Sequence, residues 1–161
     1  MAADSVEREI LISADATVVW DVITDPDKIS LWFTDEARVE ALPGADGELT
    51  WRRGGRNGEK QADVSVPIRV VDAEPFRRFS FRWNHAPGEA PDETNSALVE
   101  FTLSEEAGGT RLKVVESGIG AVAREEQARS KYVDEHGAGW SRHFGELAAY
   151  VRTAQSEAPR P

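Results

Sequence analysis

The three histidines are the first residues to consider for chemistry, because a histidine can transfer protons or bind a metal near neutral pH. They are His85, His136 and His143. His136 and His143 are seven residues apart, so both could lie on one face of a helix. No third ligand occurs at a suitable spacing, and we therefore predict neither a metal site nor any other cofactor. Surface or boundary positions are the simpler interpretation of all three.

Covalent catalysis has little support in the sequence. There is no cysteine, which excludes thiolate nucleophiles and disulfides, and there is no G-x-S-x-G motif. The glutamate pairs Glu105-Glu106 and Glu125-Glu126 fit a solvated turn and a solvated helix end better than an acid and base pair. We predict no catalytic residue, and we expect a binding protein rather than an enzyme.

Glu116 is the acidic residue that best suits a buried site. In the stretch TRLKVVES, alternation places Leu112, Val114 and Glu116 on one face of a strand. If that face is internal, the carboxylate needs a partner, because an unpaired buried charge costs several kcal/mol. We suggest His136 and Arg52 as partners, and we expect desolvation to raise the pKa of Glu116. The alternative is a hydrated position at the rim.

Aromatic side chains are the other candidates for a ligand site. The chain has 5 tryptophans, and each falls in a different predicted element, so they can share only the interior. Core filling is the simpler role for each one, but in a fold that leaves a cavity a subset of them would line it. The predicted ligand-binding residues are Trp32, Trp51, Phe81, Trp83, Glu116, His136, Trp140 and Phe144.

Composition restricts the possible partners and the location. The formal net charge of −10 opposes binding to nucleic acid and to anionic membranes, which require a basic surface. No apolar run approaches the roughly 20 residues of a membrane span, and MAADSVEREI does not resemble a signal peptide. We expect a cytoplasmic monomer or homodimer. Residues 5–154 would form one domain, with disordered tails at 1–4 and 155–161.

Strands and short helices must position these candidates. Val6 to Ser13 alternates like a half-buried strand, and Asp15 and Pro26 then introduce two short helices, ATVVWDVIT and PDKISLWF. Pro67 predicts an edge position or a bulge in its strand. The stretch RGGRNGEK predicts a hairpin turn, since no helix follows it to bind a phosphate. The six further predicted strands are Glu36 to Leu42, Glu48 to Arg53, Ala62 to Ala73, Arg77 to Trp83, Ser96 to Leu103 and Thr110 to Ser117.

The rest of the chain is organised around a long helix, predicted over most of Ala123 to Ala154. Gly137 and Gly139 indicate an interruption or close packing within it. The residues that recur on its apolar face are Trp140, Phe144, Leu147 and Val151. A helix this amphipathic needs a large apolar surface to cover, and most of the elements before it are strands. We predict an α+β fold, in which a curved antiparallel sheet wraps around this helix and leaves a cavity.

Four stretches, in this order and spacing, carry a resemblance to a known family. The chain resembles the helix-grip superfamily that includes plant pathogenesis-related allergens, START lipid-binding domains and polyketide cyclases (SRPBCC). Within it, the chain is most similar to the branch named for homology to the activator of the heat-shock protein 90 ATPase. The four stretches are REILISADATVVWDVITDPDKISLWF, VVDAEPFRRFSFRW, GGTRLKVVESG and the dipeptide GW of the last helix.

The resemblance implies a seven-stranded sheet that grips the C-terminal helix, two short helices after the first strand, and an apolar tunnel. It also implies a bacterial protein, and it leaves three functions open. The first is binding of a small apolar or amphipathic molecule. The second is a stress-response role like that of the eukaryotic activator, with a chaperone as partner, although the activator carries a further chaperone-binding domain. The third is a cyclase or hydratase activity.

Overall fold

The computed structural model describes residues 4–52, 63–86 and 88–157, which form one sheet of seven antiparallel strands together with three α-helices. This is the predicted α+β helix-grip architecture. Each strand matches a predicted one, although the second ends at Arg38 rather than at Leu42. The strands are β1 Ser5–Ile12, β2 Glu36–Arg38, β3 Asp46–Trp51, β4 Val64–Glu74, β5 Arg78–Trp83, β6 Ala97–Glu106 and β7 Gly109–Ser117.

The two short helices begin and end where the sequence predicts. Helix α1 covers Ala16–Thr24, and the carboxylate of Asp15 accepts hydrogen bonds from the first backbone N–H groups of the helix. Asp25 ends α1 in an extended conformation, because Pro26 follows it. The same aspartate then caps α2, which covers Pro26–Trp32. Helix α1 therefore follows β1 closely, and α2 leads the chain to β2.

The long helix α3 covers Glu126–Glu157, after a single turn of 3-10 helix at Ile119–Ala121. It runs unbroken through both glycines and extends to Glu157, beyond the predicted end at Ala154. Residues 1–3 and 158–161 lie outside the described part of the chain. Asp4 is held by the backbone N–H of Gly120, which donates to its carboxylate at 2.6 Å. Within the described residues, no helix is both long and apolar enough to cross a bilayer.

The order of strands across the sheet is β1-β7-β6-β5-β4-β3-β2. The chain therefore places β1 at one edge, crosses to the opposite edge through α1 and α2, and returns through consecutive antiparallel neighbours until β7 pairs with β1. This path leaves α3 to return across the inner face of the sheet. The four predicted apolar residues of α3, Trp140, Phe144, Leu147 and Val151, are all buried there.

Gly137 allows α3 to lie close to β1. A Cβ atom at this position would come within 2.6 Å of Nη2 of Arg8 and 3.8 Å of a methyl carbon of Val6. The guanidinium of Arg8 lies across the glycine instead, and its Nε donates to the hydroxyl of Ser141 at 3.0 Å. Gly139 has open space around it, so only Gly137 fulfils the prediction of close packing.

Pro67 and the glycine-rich stretch require separate comment. Strand β4 lies inside the sheet, but its pairing with β5 begins only at Ile68, so Pro67 has a strand partner on the β3 side alone. The bulge in β4 occurs between Val70 and Asp72 rather than at the proline. The predicted hairpin turn RGGRNGEK falls at 53–60, outside the described residues.

Leu147 provides a test of this packing. Its side chain has no exposed surface in the middle of the covered face of α3. We expect Leu147→Ala to lower the free energy of unfolding by about 2–5 kcal/mol, through lost burial and the cavity left behind. Arg152→Ala, an exposed change on the same helix, should stay within about 0.5 kcal/mol of the parent protein. Chemical denaturation of the two variants measures both values, and equal effects would contradict the packing.

Candidate functional site

The carboxylate of Glu116 lies inside the protein with 0% exposed surface. Its Oε2 accepts a hydrogen bond from Nε1 of Trp83 at 2.9 Å and another from the hydroxyl of Tyr132. Its Oε1 accepts from Nδ1 of His136 at 2.8 Å and from Nε1 of Trp140 at 3.0 Å. Each oxygen therefore has two donors, and the charge is surrounded by hydrogen bonds rather than by solvent.

Local structure explains why these donors meet. Alternation in β7 turns Glu116 to the inner face, opposite Val6 of β1 and Val99 of β6. Three of the donors recur at intervals of four residues in α3, and so lie on one face of the helix. They are Tyr132, His136 and Trp140. The fourth donor is Trp83, the last residue of β5.

The environment of Glu116 lowers its pKa, opposite to the rise expected from the sequence. Burial alone raises the pKa, but the hydrogen bonds from His136, Tyr132 and Trp140 and the charge interaction with His136 together outweigh it. The carboxylate is therefore ionised and acts only as an acceptor, so His136 must carry a hydrogen on Nδ1. His136 was correctly predicted as a partner. Arg52 was not, because it forms an exposed ion pair with Glu36 instead.

Tyr132 and Asn84 extend the network toward the surface. The hydroxyl of Tyr132 accepts a hydrogen bond from Nδ2 of Asn84 at 2.7 Å while it donates to Glu116. Burial and the neighbouring charge of Glu116 raise the pKa of Tyr132, so the phenol stays protonated. Its ring also stacks on the imidazole of His136, with centroids 3.8 Å apart and planes within 11°. His136 is thus held by a hydrogen bond at its edge and by an aromatic face.

A cleft of about 470 Å³ opens beside this network, between α3 and the adjacent ends of β3, β4 and β5. Four aromatic rings, two valines and several polar groups form its walls. We call this space the cleft. Its lining residues are Phe33, Trp51, Val64, Val66, Trp83, Asn84, Glu135, His136, Gly139, Trp140, Arg142 and His143.

A second space of about 440 Å³, which we call the hollow, adjoins the cleft. It is lined by Ser65, Val66, Pro67, Asn84, His85, Val122, Tyr132 and His136. The two spaces share Val66, Asn84 and His136, so the imidazole stands where they meet. The side chain of His136 is 27% exposed. The imidazole is therefore partly accessible from both spaces.

The structure brings together half of the predicted ligand-binding residues along the cleft. These are Trp51, Trp83, His136 and Trp140. Glu116 lies directly behind the wall that Trp83, His136 and Trp140 form. Trp32, Phe81 and Phe144 are instead packed in the core, and the first two border a void of only about 10 Å³. The tunnel that the resemblance implies is filled at that depth, because α2 and the sheet pack against each other there.

Three residues of the site were not found by sequence reasoning. Phe33 stacks on Trp140 at 5.2 Å and meets the edge of Trp51 at 5.4 Å. Asn84 follows β5 in a polar loop, where no sequence pattern distinguishes it from its neighbours. Tyr132 could have been found, because it lies four residues before His136 on the helix face that also carries Trp140.

The remaining two histidines have other neighbours. Nδ1 of His143 donates to the backbone carbonyl of Trp32 at 3.2 Å, and burial is the main cause that lowers its pKa. His85 is buried at the hollow, where desolvation and then the charge of Arg69 lower its pKa. The described residues contain no cluster of three histidine, aspartate, glutamate or cysteine side chains arranged around a metal position.

Comparison with known proteins agrees with this architecture. A family model described as "Activator of Hsp90 ATPase homolog 1-like protein" matches residues 13–152. Among solved structures, protein MLL2253 from Mesorhizobium loti is similar, with 19% identity, a TM-score of 0.71, and coverage of 92% of this chain and 97% of its own. An AHSA1-like protein from Aeromonas hydrophila is similar at 20% identity and a TM-score of 0.72, covering 98% of each chain.

A third solved structure has higher sequence identity. DynU16, described as a putative protein in the dynemicin biosynthetic locus, is 27% identical, with a TM-score of 0.72. The match covers 94% of this chain and 48% of DynU16. No curated protein is significantly similar to the chain in sequence.

The hydrogen bonds around Glu116 predict that Glu116→Gln destabilises the protein. A glutamine amide keeps one acceptor oxygen, and its nitrogen would face two donors that then lack acceptors. At about 1–3 kcal/mol for each unsatisfied donor, the free energy of unfolding at pH 7 should fall by about 2–6 kcal/mol. Chemical denaturation measures it, with Glu105→Gln at the exposed end of β6 as the matched control. A loss no larger than that of the control would contradict the network.

Glu116 also predicts how the free energy of unfolding depends on pH. The direction is opposite to that expected for a carboxylate whose pKa is raised by burial. The pKa of Glu116 is lower in the folded protein than in the unfolded chain. Its stabilisation is therefore present above the ordinary value of 4.5, and is lost as the pH falls toward the folded value. The difference in unfolding free energy between the parent protein and Glu116→Gln should shrink in this acidic range. A difference that grows on acidification would show that the folded pKa is raised instead.

Proposed function

The chain belongs to the family of activator of Hsp90 ATPase homolog 1-like proteins, and from this premise we propose that its cleft binds a small, planar, aromatic or amphipathic molecule. The observation that carries the proposal is the composition of the cleft walls. Aromatic rings of Phe33, Trp51, Trp83 and Trp140 face a space that also contains the half-buried imidazole of His136. Ligand pockets are characteristically apolar with a few polar groups that set orientation.

The free energy that a ligand gains by burying apolar surface in the cleft is too small for tight binding, so the polar groups of the cleft matter for affinity. A bicyclic aromatic molecule that loses about 200 Å² of apolar surface gains about 5 kcal/mol, at about 25 cal/mol per Å². Association itself costs at least about 4 kcal/mol in lost translation and rotation. Apolar contact alone therefore gives only weak binding. A hydrogen bond between the ligand and His136 or Asn84 would supply both added affinity and a fixed orientation.

Similarity to DynU16 supports a small molecule as the partner, because its description places that protein in a biosynthetic locus. The family description instead suggests a chaperone partner, which is the alternative function. A chaperone would need an exposed contact surface, whereas the features described above converge on a concave site. Pull-down with a bacterial homologue of heat-shock protein 90 tests that alternative. The cytoplasmic location, the stress response and the monomeric or dimeric state stay predictions from the sequence.

Binding can be tested through the tryptophans of the cleft. Trp51, Trp83 and Trp140 lie in its walls, so titration with the bicyclic ketone 2-tetralone should quench the intrinsic fluorescence and reach saturation. Val66→Phe places a larger side chain where the cleft and the hollow meet, and should weaken binding at least about tenfold, a change equivalent to about 1.4 kcal/mol. Dodecanoate in parallel titrations shows whether a linear amphiphile is preferred.

The matched control is Val71→Phe, the same substitution on the same strand at a side chain that is 39% exposed. It should bind 2-tetralone like the parent protein. Unsaturable titrations with both 2-tetralone and dodecanoate, or equal behaviour of the two variants, would contradict binding in the cleft. Circular dichroism of both variants confirms that the comparison is made between folded proteins.

A further inference from the structure

We infer that His136 and Glu116 form a proton-transfer pair, and that the cleft catalyses removal of a proton from carbon beside the carbonyl of a bound aromatic ketone. This inference rests on the proposed function, since the ketone must first occupy the cleft. His136 would be the catalytic residue. Glu116, which has no exposed surface and cannot touch the ligand, would be a positioning residue.

The orientation of the imidazole carries the inference. Nδ1 points inward and donates to Oε1 of Glu116 at 2.8 Å. Nε2 occupies the opposite side of the ring from this bond, and none of the residues that the structure describes forms a hydrogen bond with it. In the neutral form of the ring, with its hydrogen held on Nδ1, Nε2 is unprotonated and belongs to the residue at which the cleft and the hollow meet.

The surroundings restrain the ring further. Tyr132 stacks on its face, and Trp83 meets it nearly perpendicularly, at 87° and with centroids 5.8 Å apart. Both side chains also donate to Glu116. The base and the group that orients it are thus held by the same residues. Such an arrangement is what general-base catalysis requires, because geometry must be correct before basicity matters.

The lining of the cleft favours proton transfer over other reactions. Among the residues described there, none is a serine, threonine, cysteine or lysine, so the walls lack the hydroxyl, thiol and amine nucleophiles of covalent catalysis. The aromatic walls suit a flat apolar compound, and a carbonyl group makes the neighbouring C–H acidic enough for an imidazole to act on. An aromatic ketone combines these two properties.

In the reaction step, Nε2 of His136 forms a bond to the proton at C1 of 2-tetralone, and the C–H bond breaks. Its electron pair becomes the C=C bond of the enolate, while the carbonyl π pair moves onto oxygen. The resulting imidazolium is stabilised by the ionised carboxylate of Glu116 through Nδ1–H. In D₂O the proton on Nε2 exchanges with solvent, and a deuteron returns to C1. The product is the deuterated ketone, and no other reactant is consumed.

The experiment follows loss of the C1 proton signal of 2-tetralone by ¹H NMR in D₂O, with fluorescence titration of the same samples. The folded parent protein should accelerate exchange above the protein-free rate. His136→Gln should retain binding within about threefold, but lose the protein-dependent rate by at least about 100-fold, the lower limit for a general base. Asp134→Asn, on the exposed side of α3, should leave both binding and exchange unchanged.

Added imidazole provides a readout that a structural role would not produce. In His136→Ala, imidazole can enter the vacated space and accept the proton, so exchange should recover with imidazole concentration.

The role of Glu116 is tested with Glu116→Asp, which keeps the charge but withdraws it from His136. We expect kcat for exchange to fall while KM stays within about threefold, because the carboxylate orients the base without contacting the ligand. Parent protein that binds 2-tetralone without accelerating exchange would overturn this inference and leave the proposed function intact. Parent protein that does not bind 2-tetralone would overturn this inference, and parent protein that binds neither 2-tetralone nor dodecanoate would overturn both. Equal exchange rates in the parent protein and His136→Gln would also overturn the inference.

Discussion

A single carboxylate inside the protein sets the arrangement of the elements around it. Glu116 is ionised with no exposed surface, and removal of one partner from a buried ion costs several kcal/mol. Its four hydrogen-bond donors come from β5 and from three turns of α3. All of them must be in place together. The interaction therefore restricts how far α3 can rotate or slide on the sheet, in a way that apolar contacts alone would not.

This restriction connects stability with the cleft. Trp83 and Trp140 point their indole N–H groups at the carboxylate, and their rings form part of the cleft wall. His136 uses one nitrogen for the carboxylate and borders the cleft with the rest of its ring. The residues that neutralise the buried charge are thus the residues that shape the space beside it. Preorganisation of this kind lowers the reorganisation needed when a ligand binds.

The path of the chain explains the position of the cleft. Helices α1 and α2 cross under the middle of the sheet, and their apolar side chains fill the interior there, where only a void of about 10 Å³ remains. Toward the first half of α3, no helix in the described part of the chain covers the ends of β3, β4 and β5 in the same way. Phe33, at the end of α2, closes the filled region by stacking on Trp140. Both rings also line the cleft.

The sequence by itself determined the elements and the shared face of Leu112, Val114 and Glu116 in β7, because alternation and helical spacing depend only on neighbours along the chain. It suggested His136 as a partner of Glu116, but it left open whether the carboxylate is internal or at the rim. Which aromatic residues line the cleft was decided by the tertiary structure, since Trp32, Phe81 and Trp83 are equally apolar in sequence but lie at different depths. The direction of the pKa shift of Glu116 was decided there too. Desolvation follows from the burial of one residue. The hydrogen bonds that outweigh it come from His136, Tyr132 and Trp140, on a helix face that only folding brings to the same two oxygens.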